Sequence, residues 1–198
     1  MRVVYTVSSL YQGVFESRGS KFLSFLFPYM LFDEVMLDLK DKHPKAVHFV
    51  YASRKKECQI IESFSDDGEP KGSSGVPTLN VLRGEDLLDV GLITVRYFGG
   101  TLLGVGGLVR AYTQAAQTVI LNAREDGGFE EYRELVDFEL EIPYAVLNQV
   151  QYWITRLGII VRDRGFQSES VKLLLSTTQE NKEEFFKMLP NLAYQKTC

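Results

Sequence analysis

An α+β protein of two domains is what this sequence predicts, and three observations carry that expectation. Up to about residue 128, apolar strand-like runs alternate with stretches of helical apolar spacing. One of those strands feeds a long amphipathic helix through a turn holding the five glycines Gly99, Gly100, Gly104, Gly106 and Gly107. Past Glu125-Asp126-Gly127-Gly128-Phe129-Glu130-Glu131, a glycine pair set among four acids, the elements read βαββαβ, the ferredoxin-like plan. The expected domains are therefore residues 1–128 and 129–198.

In the first domain, Phe22 to Phe27 reads as a strand stopped by Pro28. Phe32, Val35, Met36 and Leu39 then recur at helical spacing up to His43-Pro44. Strands follow at His48 to Ser53 and Gln59 to Phe64, with Arg54-Lys55-Lys56 expected as a solvated turn between them. Pro77 suits the first turn of a short helix over Val76 to Leu82, and Gly91 to Phe98 is apolar enough for a buried strand. Val105, Leu108, Tyr112, Ala115, Val119 and Ala123 then share one helix face, leaving Arg110, Gln114 and Gln117 on the other.

In the second domain, Val136, Phe138, Leu140 and Ile142 alternate with Asp137, Glu139 and Glu141, so one strand face is buried and the other wet. Leu147, Val150, Ile154 and Leu157 mark a helix. Strands are expected at Gly158 to Arg162 and Val171 to Ser176, a helix over Glu183 to Leu189, and a last strand at Leu192 to Lys196.

The 198 residues are 45% hydrophobic and 24% charged, an ordinary composition for a chain that folds without staples. Cys58 and Cys198 form neither a ligand spacing nor a disulfide framework, which with a short, soon polar N-terminus points to a cytoplasmic protein. No stretch approaches the roughly 20 apolar residues of a bilayer span, so no membrane partner is expected. A net charge of −4 gives no general attraction to polyphosphates, so any nucleic-acid site has to be a local patch.

Two loops carry the functional signal. The glycine turn leads into a helix N-terminus whose first amides lack intrahelical partners, with Arg96 before it and Arg110 just inside it. An anion is stabilised in such a place, although glycines also serve simply to turn a strand sharply and bring a helix close to a sheet. Standard phosphate motifs are absent: after Gly104-Val105-Gly106 the third fingerprint glycine is replaced by Val109, and Lys71 precedes its glycine. The second loop, Ser65 to Pro77, is acidic and then rich in glycine and serine. Its Asp66, Asp67 and Glu69 offer the oxygen ligands magnesium prefers, and equally suit an Asx-type turn before Gly68. His48, alternating with Val50 and Ala52, reads as a half-buried residue rather than a general base.

Ser65 to Pro77 (SDDGEP, then GSSGVP) and Arg96 to Tyr112 (RYFGG, LG, GGLVRAY) resemble the signature of the YigZ/IMPACT family, as do Gly19-Ser20-Lys21-Phe22 and His43 to His48. These motifs cover the N-terminal half, and the βαββαβ half resembles the second domain of bacterial YigZ-type members. Ser73-Ser74 stand where the family more usually has Thr-Ala. The resemblance implies an N-terminal βαβ sandwich like a ribosomal protein's second domain and small-molecule kinases, followed by a domain like a terminal domain of elongation factor G. It also implies a link to translation, because eukaryotic IMPACT relatives regulate it by binding the activator of a starvation-responsive initiation-factor kinase.

Two functions are compatible with these features. The first is a noncatalytic translation-linked regulator that binds RNA or a ribosome-associated protein through its N-terminal domain, using Arg18, Lys21, Arg96 and Arg110, with no DNA sequence readout. Asp137, Glu139 and Glu141 would repel phosphate from the second domain's open sheet, where RNA-binding sheets carry stacking aromatics. The second is a magnesium-dependent enzyme acting on a small phosphorylated ligand, with metal on Asp66, Asp67 and Glu69 and phosphate at the glycine turn. Both place the site between the two loops: Arg96, Gly99, Gly100, Gly104, Gly106, Gly107 and Arg110 for the anion, faced by Ser65, Asp66, Asp67, Gly68, Glu69, Ser73 and Ser74.

Overall fold

The computed structural model describes residues 3–189, which divide between two compact units, the first ending at Tyr132 and the second beginning at Arg133. Mixed helix and sheet build both. The expected last strand, Leu192 to Lys196, lies outside the described residues.

The first unit is organised by a five-stranded antiparallel sheet in the order β2-β3-β6-β4-β5. Its strands are β2 (Tyr11–Ser17), β3 (Ser20–Pro28), β4 (His48–Lys56), β5 (Ile60–Ser65) and β6 (Val90–Tyr97). The central strands β3 and β6 are buried almost throughout because helices cover both sheet faces. On one face Leu23, Phe25, Phe27, Ile93 and Val95 pack against Val35 and Leu39 of α1 (Phe32–Lys42). The other face meets α2 (Gly75–Gly84) and α3 (Val105–Glu125), with Leu26, Ala52 and Leu92 against Leu79, Leu82, Ala116, Val119 and Ile120. Ser24 and Thr94, two polar residues on that face, satisfy each other at 2.8 Å.

Short strands β1 (Tyr5–Val7) and β7 (Phe129–Glu131) pair antiparallel, so the segment after Gly128 belongs to the first unit. Glu130 and Glu131 are accordingly strand residues rather than linker. Gly128 itself is held by a bond from its amide to the Ala123 carbonyl, 2.8 Å, and a Cβ there would lie 2.0 Å from the Tyr11 hydroxyl. The sequence reading contains no counterpart to β1, β2 or β7. Arg54-Lys55-Lys56, expected as a turn, continues β4: Arg54 bonds Glu62 at 3.0 Å and the Leu87 carbonyl at 2.7 Å. Val105, expected on the inner face of α3, is 58% exposed, and the buried stripe begins at Leu108.

In the second unit β8 (Leu135–Pro143), β9 (Ile160–Phe166) and β10 (Ser170–Thr178) form an antiparallel sheet in the order β8-β10-β9. Phe138, Leu140, Ile142, Val171, Leu173 and Leu175 pack with α4 (Leu147–Arg156) and α5 (Gln179–Met188). Asp137 and Glu139 stay exposed on β8, and Glu141, half-buried opposite Lys172, accepts a bond from the Ser170 hydroxyl at 2.6 Å. Among the described residues no helix is long and apolar enough to cross a membrane.

Candidate functional site

Antiparallel register sets the floor of the site. Phe22 on β3 and His48 on β4 both lie opposite Arg96 on β6, so the three side chains form a row on the face that α3 covers. Helical spacing then brings Tyr112, fully buried, onto Phe22, edge to face with ring centroids 5.1 Å apart.

The acidic loop closes over this row because Asp66 pins it. One Asp66 oxygen accepts from the Ser74 hydroxyl at 2.7 Å and from the amides of Gly75 (2.8 Å) and Ser74 (3.2 Å); the other accepts from the Gly72 amide at 2.8 Å. The carboxylate thus holds the N-terminus of α2 in place of a capping side chain at Ser74. Burial pushes the Asp66 carboxyl up, but the bonds from Gly72, Gly75 and Ser74 outweigh it and leave its pKa lowered. Asp67 takes a left-handed backbone (φ 44°) and accepts the Phe49 amide at 2.6 Å. Its carbonyl accepts from His48 Nδ1 at 2.7 Å, and since a carbonyl only accepts, Nδ1 carries the proton.

The same loop drives Glu69 into the interior. Its Oε1 receives Arg96 Nη1 at 2.5 Å and the Tyr112 hydroxyl at 2.8 Å, with His48 Nε2 at 3.9 Å. Burial, then the Glu69 charge, raises the Tyr112 pKa far out of reach, so its hydroxyl is a permanent donor here. Arg96 also lies over Phe22 and Phe98, 5.5 and 5.7 Å from the ring centroids, while its Nε–H and the Ser73 hydroxyl are buried without a partner among the described residues.

The glycines divide their work. A Cβ on Gly99 would fall 1.8 Å from the carbonyl carbon of Gly19, so this glycine exists for close approach to the β2–β3 turn. Gly100 and Gly104 have φ of 83° and 69°, and Gly104 starts α3 with no side-chain cap on the helix amides. Gly107 packs against Leu103, where an added Cβ would sit at 3.1 Å.

The two motif loops meet. A cleft of about 490 Å³ is walled by Glu69 and Pro70 from one loop, by Phe98, Leu102, Gly104 and Val105 from the other, and floored by His48 and Arg96. A second cleft, about 390 Å³, shares Leu103 with the first and lies on the other side of the start of α3, lined by Phe15, Ser17, Arg18, Gly107, Arg110 and Gln114. Arg96 and Arg110, grouped by the sequence, therefore occupy different clefts. Arg96 is neutralised by Glu69, whereas Arg18 and Arg110 have no hydrogen bond or ion pair among the described residues. Asp66, Asp67, Gly68, Ser73 and Ser74 shape the loop rather than line either cleft. The three carboxylates considered for magnesium point to separate protein donors, and the described residues bring together no group of three or more His, Cys, Asp or Glu able to hold a metal.

Sequence reasoning missed Phe98, Leu102 and Tyr112 as site residues, and it set His48 aside. The sign available for His48 and Tyr112 was the register and helix phase that put them beside Arg96; Phe98 and Leu102 are apolar residues left exposed at 50% and 81%.

Residues 18–120 match the Impact N-terminal domain family. An IMPACT family member from Haemophilus influenzae is 36% identical over 149 residues, covering 74% of this chain and 70% of that one. The family member YigZ from Escherichia coli is 43% identical over 77 residues, 37% of each chain. A crystal structure of a hypothetical protein superposes over 100% of this chain and 98% of its own with a TM-score of 0.71 at 23% identity, a likeness of fold.

Proposed function

This chain belongs to the IMPACT family, and from that membership and the geometry of its first unit we propose that it is a noncatalytic, translation-linked regulator that binds RNA through that unit. The observation that carries the reading is the second cleft: Arg18 and Arg110 line it without partners among the described residues, and its lining holds no acid, in a chain whose net charge is −4. Unpaired guanidinium groups beside uncapped helix amides are what a phosphate backbone requires. Arg18 sits at the tip of the sheet, because Arg18 and Gly19 both take positive φ (47° and 80°) in the two-residue turn joining β2 to β3.

A binding role suits the first cleft as well. Glu69 is engaged by Arg96 and Tyr112, and His48 Nδ1 by Asp67, so the polar groups there hold one another in place. The test is titration of labelled single-stranded RNA with wild-type protein and Arg110→Ala. Arg110 is exposed, so the variant should keep its stability and lose about 1–3 kcal/mol of binding. Equal binding by both proteins would refute the assignment.

A further inference from the structure

We propose that the first cleft receives an unpaired base of the RNA whose backbone lies on Arg18 and Arg110, an inference that rests on the RNA reading above and specifies how it is carried out. Leu103 lines both clefts, so the apolar cleft and the cationic one adjoin at that side chain. The charge pattern separates their roles. In the first cleft Arg96 is already paired with Glu69, which removes the attraction for a phosphate, while the walls are Val47, Phe98, Leu102 and Val105. In the second cleft both arginines are unpaired among the described residues. A nucleotide has the same two-part character, an uncharged flat ring and an anionic backbone.

The polar groups in the first cleft fit an uncharged ring with mixed edges. In the tautomer with its proton on Nδ1, His48 Nε2 is an acceptor, 3.9 Å from Glu69 Oε1. Arg96 Nε–H is a donor left unpartnered in a residue 5% exposed, and Phe98 stands over its guanidinium. A base carries a donor next to an acceptor on its Watson–Crick edge, and turning Phe98 aside to stack on the base opens the guanidinium to it. Phe98 is half exposed and is followed by Gly99 and Gly100, in a loop that also leaves Leu102 in solvent. An apolar side chain of a protein partner would fill the walls but leave the neighbouring arginines without a counter-charge.

The experiment compares a short fluorescein-labelled oligouridylate with the matching abasic ribose-phosphate polymer by fluorescence anisotropy on the full chain. Wild-type protein should bind the oligouridylate roughly tenfold more tightly than the abasic polymer, as one stacked base gives. Phe98→Ala should erase that difference without weakening abasic binding, Phe98→Trp should restore it, and Arg110→Ala should weaken both polymers alike. Equal binding of the two polymers by wild type, or a difference that survives in a folded Phe98→Ala, overturns the base cleft and leaves the RNA reading standing. Failure of wild type to bind either polymer overturns both.

Discussion

Replacing Glu69 by leucine tests the buried packing beneath the first cleft. The Glu69 and Arg96 side chains are 3% and 6% exposed, and Glu69 Oε1 is the shared acceptor for Arg96 and Tyr112. Removing one partner of a buried pair leaves the other charge uncompensated, at a cost of about 3–5 kcal/mol. Glu69→Leu should therefore lose about that much stability in urea denaturation followed by circular dichroism, with an unchanged m value. Glu69→Leu/Arg96→Met removes both charges and should recover most of the loss, leaving about 1–3 kcal/mol for the stranded Tyr112 hydroxyl. Adding Tyr112→Phe should bring the protein to within about 1 kcal/mol of wild type, since apolar groups of similar volume replace such clusters well. A loss below about 1 kcal/mol for the single variant, the size of an exposed pair, would show that the Glu69–Arg96 pair is not desolvated. So would a double variant no more stable than the single one.

Other expectations follow from the same contacts. The bonds from Gly72, Gly75 and Ser74 hold the Asp66 carboxyl below the usual aspartate range, so its contribution to stability is present above the unfolded pKa and lost as pH falls through the lower folded value; Asp66→Asn should flatten this part of an acid-unfolding curve, and an unchanged acid limb would contradict it. Gly99→Ala forces apart backbone that a Cβ would approach to 1.8 Å, whereas Gly100→Ala meets open space and only the strain of φ 83°, about 1–2 kcal/mol; thermal melting should show Gly99→Ala as clearly the worse, and the reverse order would be inconsistent with the Gly19–Gly99 contact. A fragment of residues 133–198 should show no tight, salt-sensitive RNA binding, because the open face of β8 carries exposed Asp137 and Glu139; binding mapped by NMR to those residues would overturn this.

Much of the fold was legible because its strands and helices bury regular stripes. β3, β6 and β8 show it as apolar runs or strict alternation, and α3 shows it as the Leu108, Tyr112, Ala115, Val119 spacing. β2 was not legible: Gly13 interrupts it because a Cβ there would meet the Val119 backbone at 2.8 Å, a tertiary reason no local pattern carries. β1 and β7 are three residues each, too short for periodicity to register. For the site, glycine and charge content singled out the two loops that meet at the first cleft. What they could not express was pairing. Arg96 and Arg110 look alike in sequence, and only the fold of Asp66 onto α2, which turns Glu69 inward, neutralises one and leaves the other free.

Whether Arg18 and Arg110 hold an RNA backbone is read most directly from the salt dependence of single-stranded RNA binding. For single strands each phosphate contact contributes a slope of about −0.7 to log K against log salt, so Arg18→Ala/Arg110→Ala should flatten the wild-type slope by about 1.4 and weaken binding most at low salt. A double variant whose slope and affinity match wild type, while its melting temperature is unchanged, would contradict that contact.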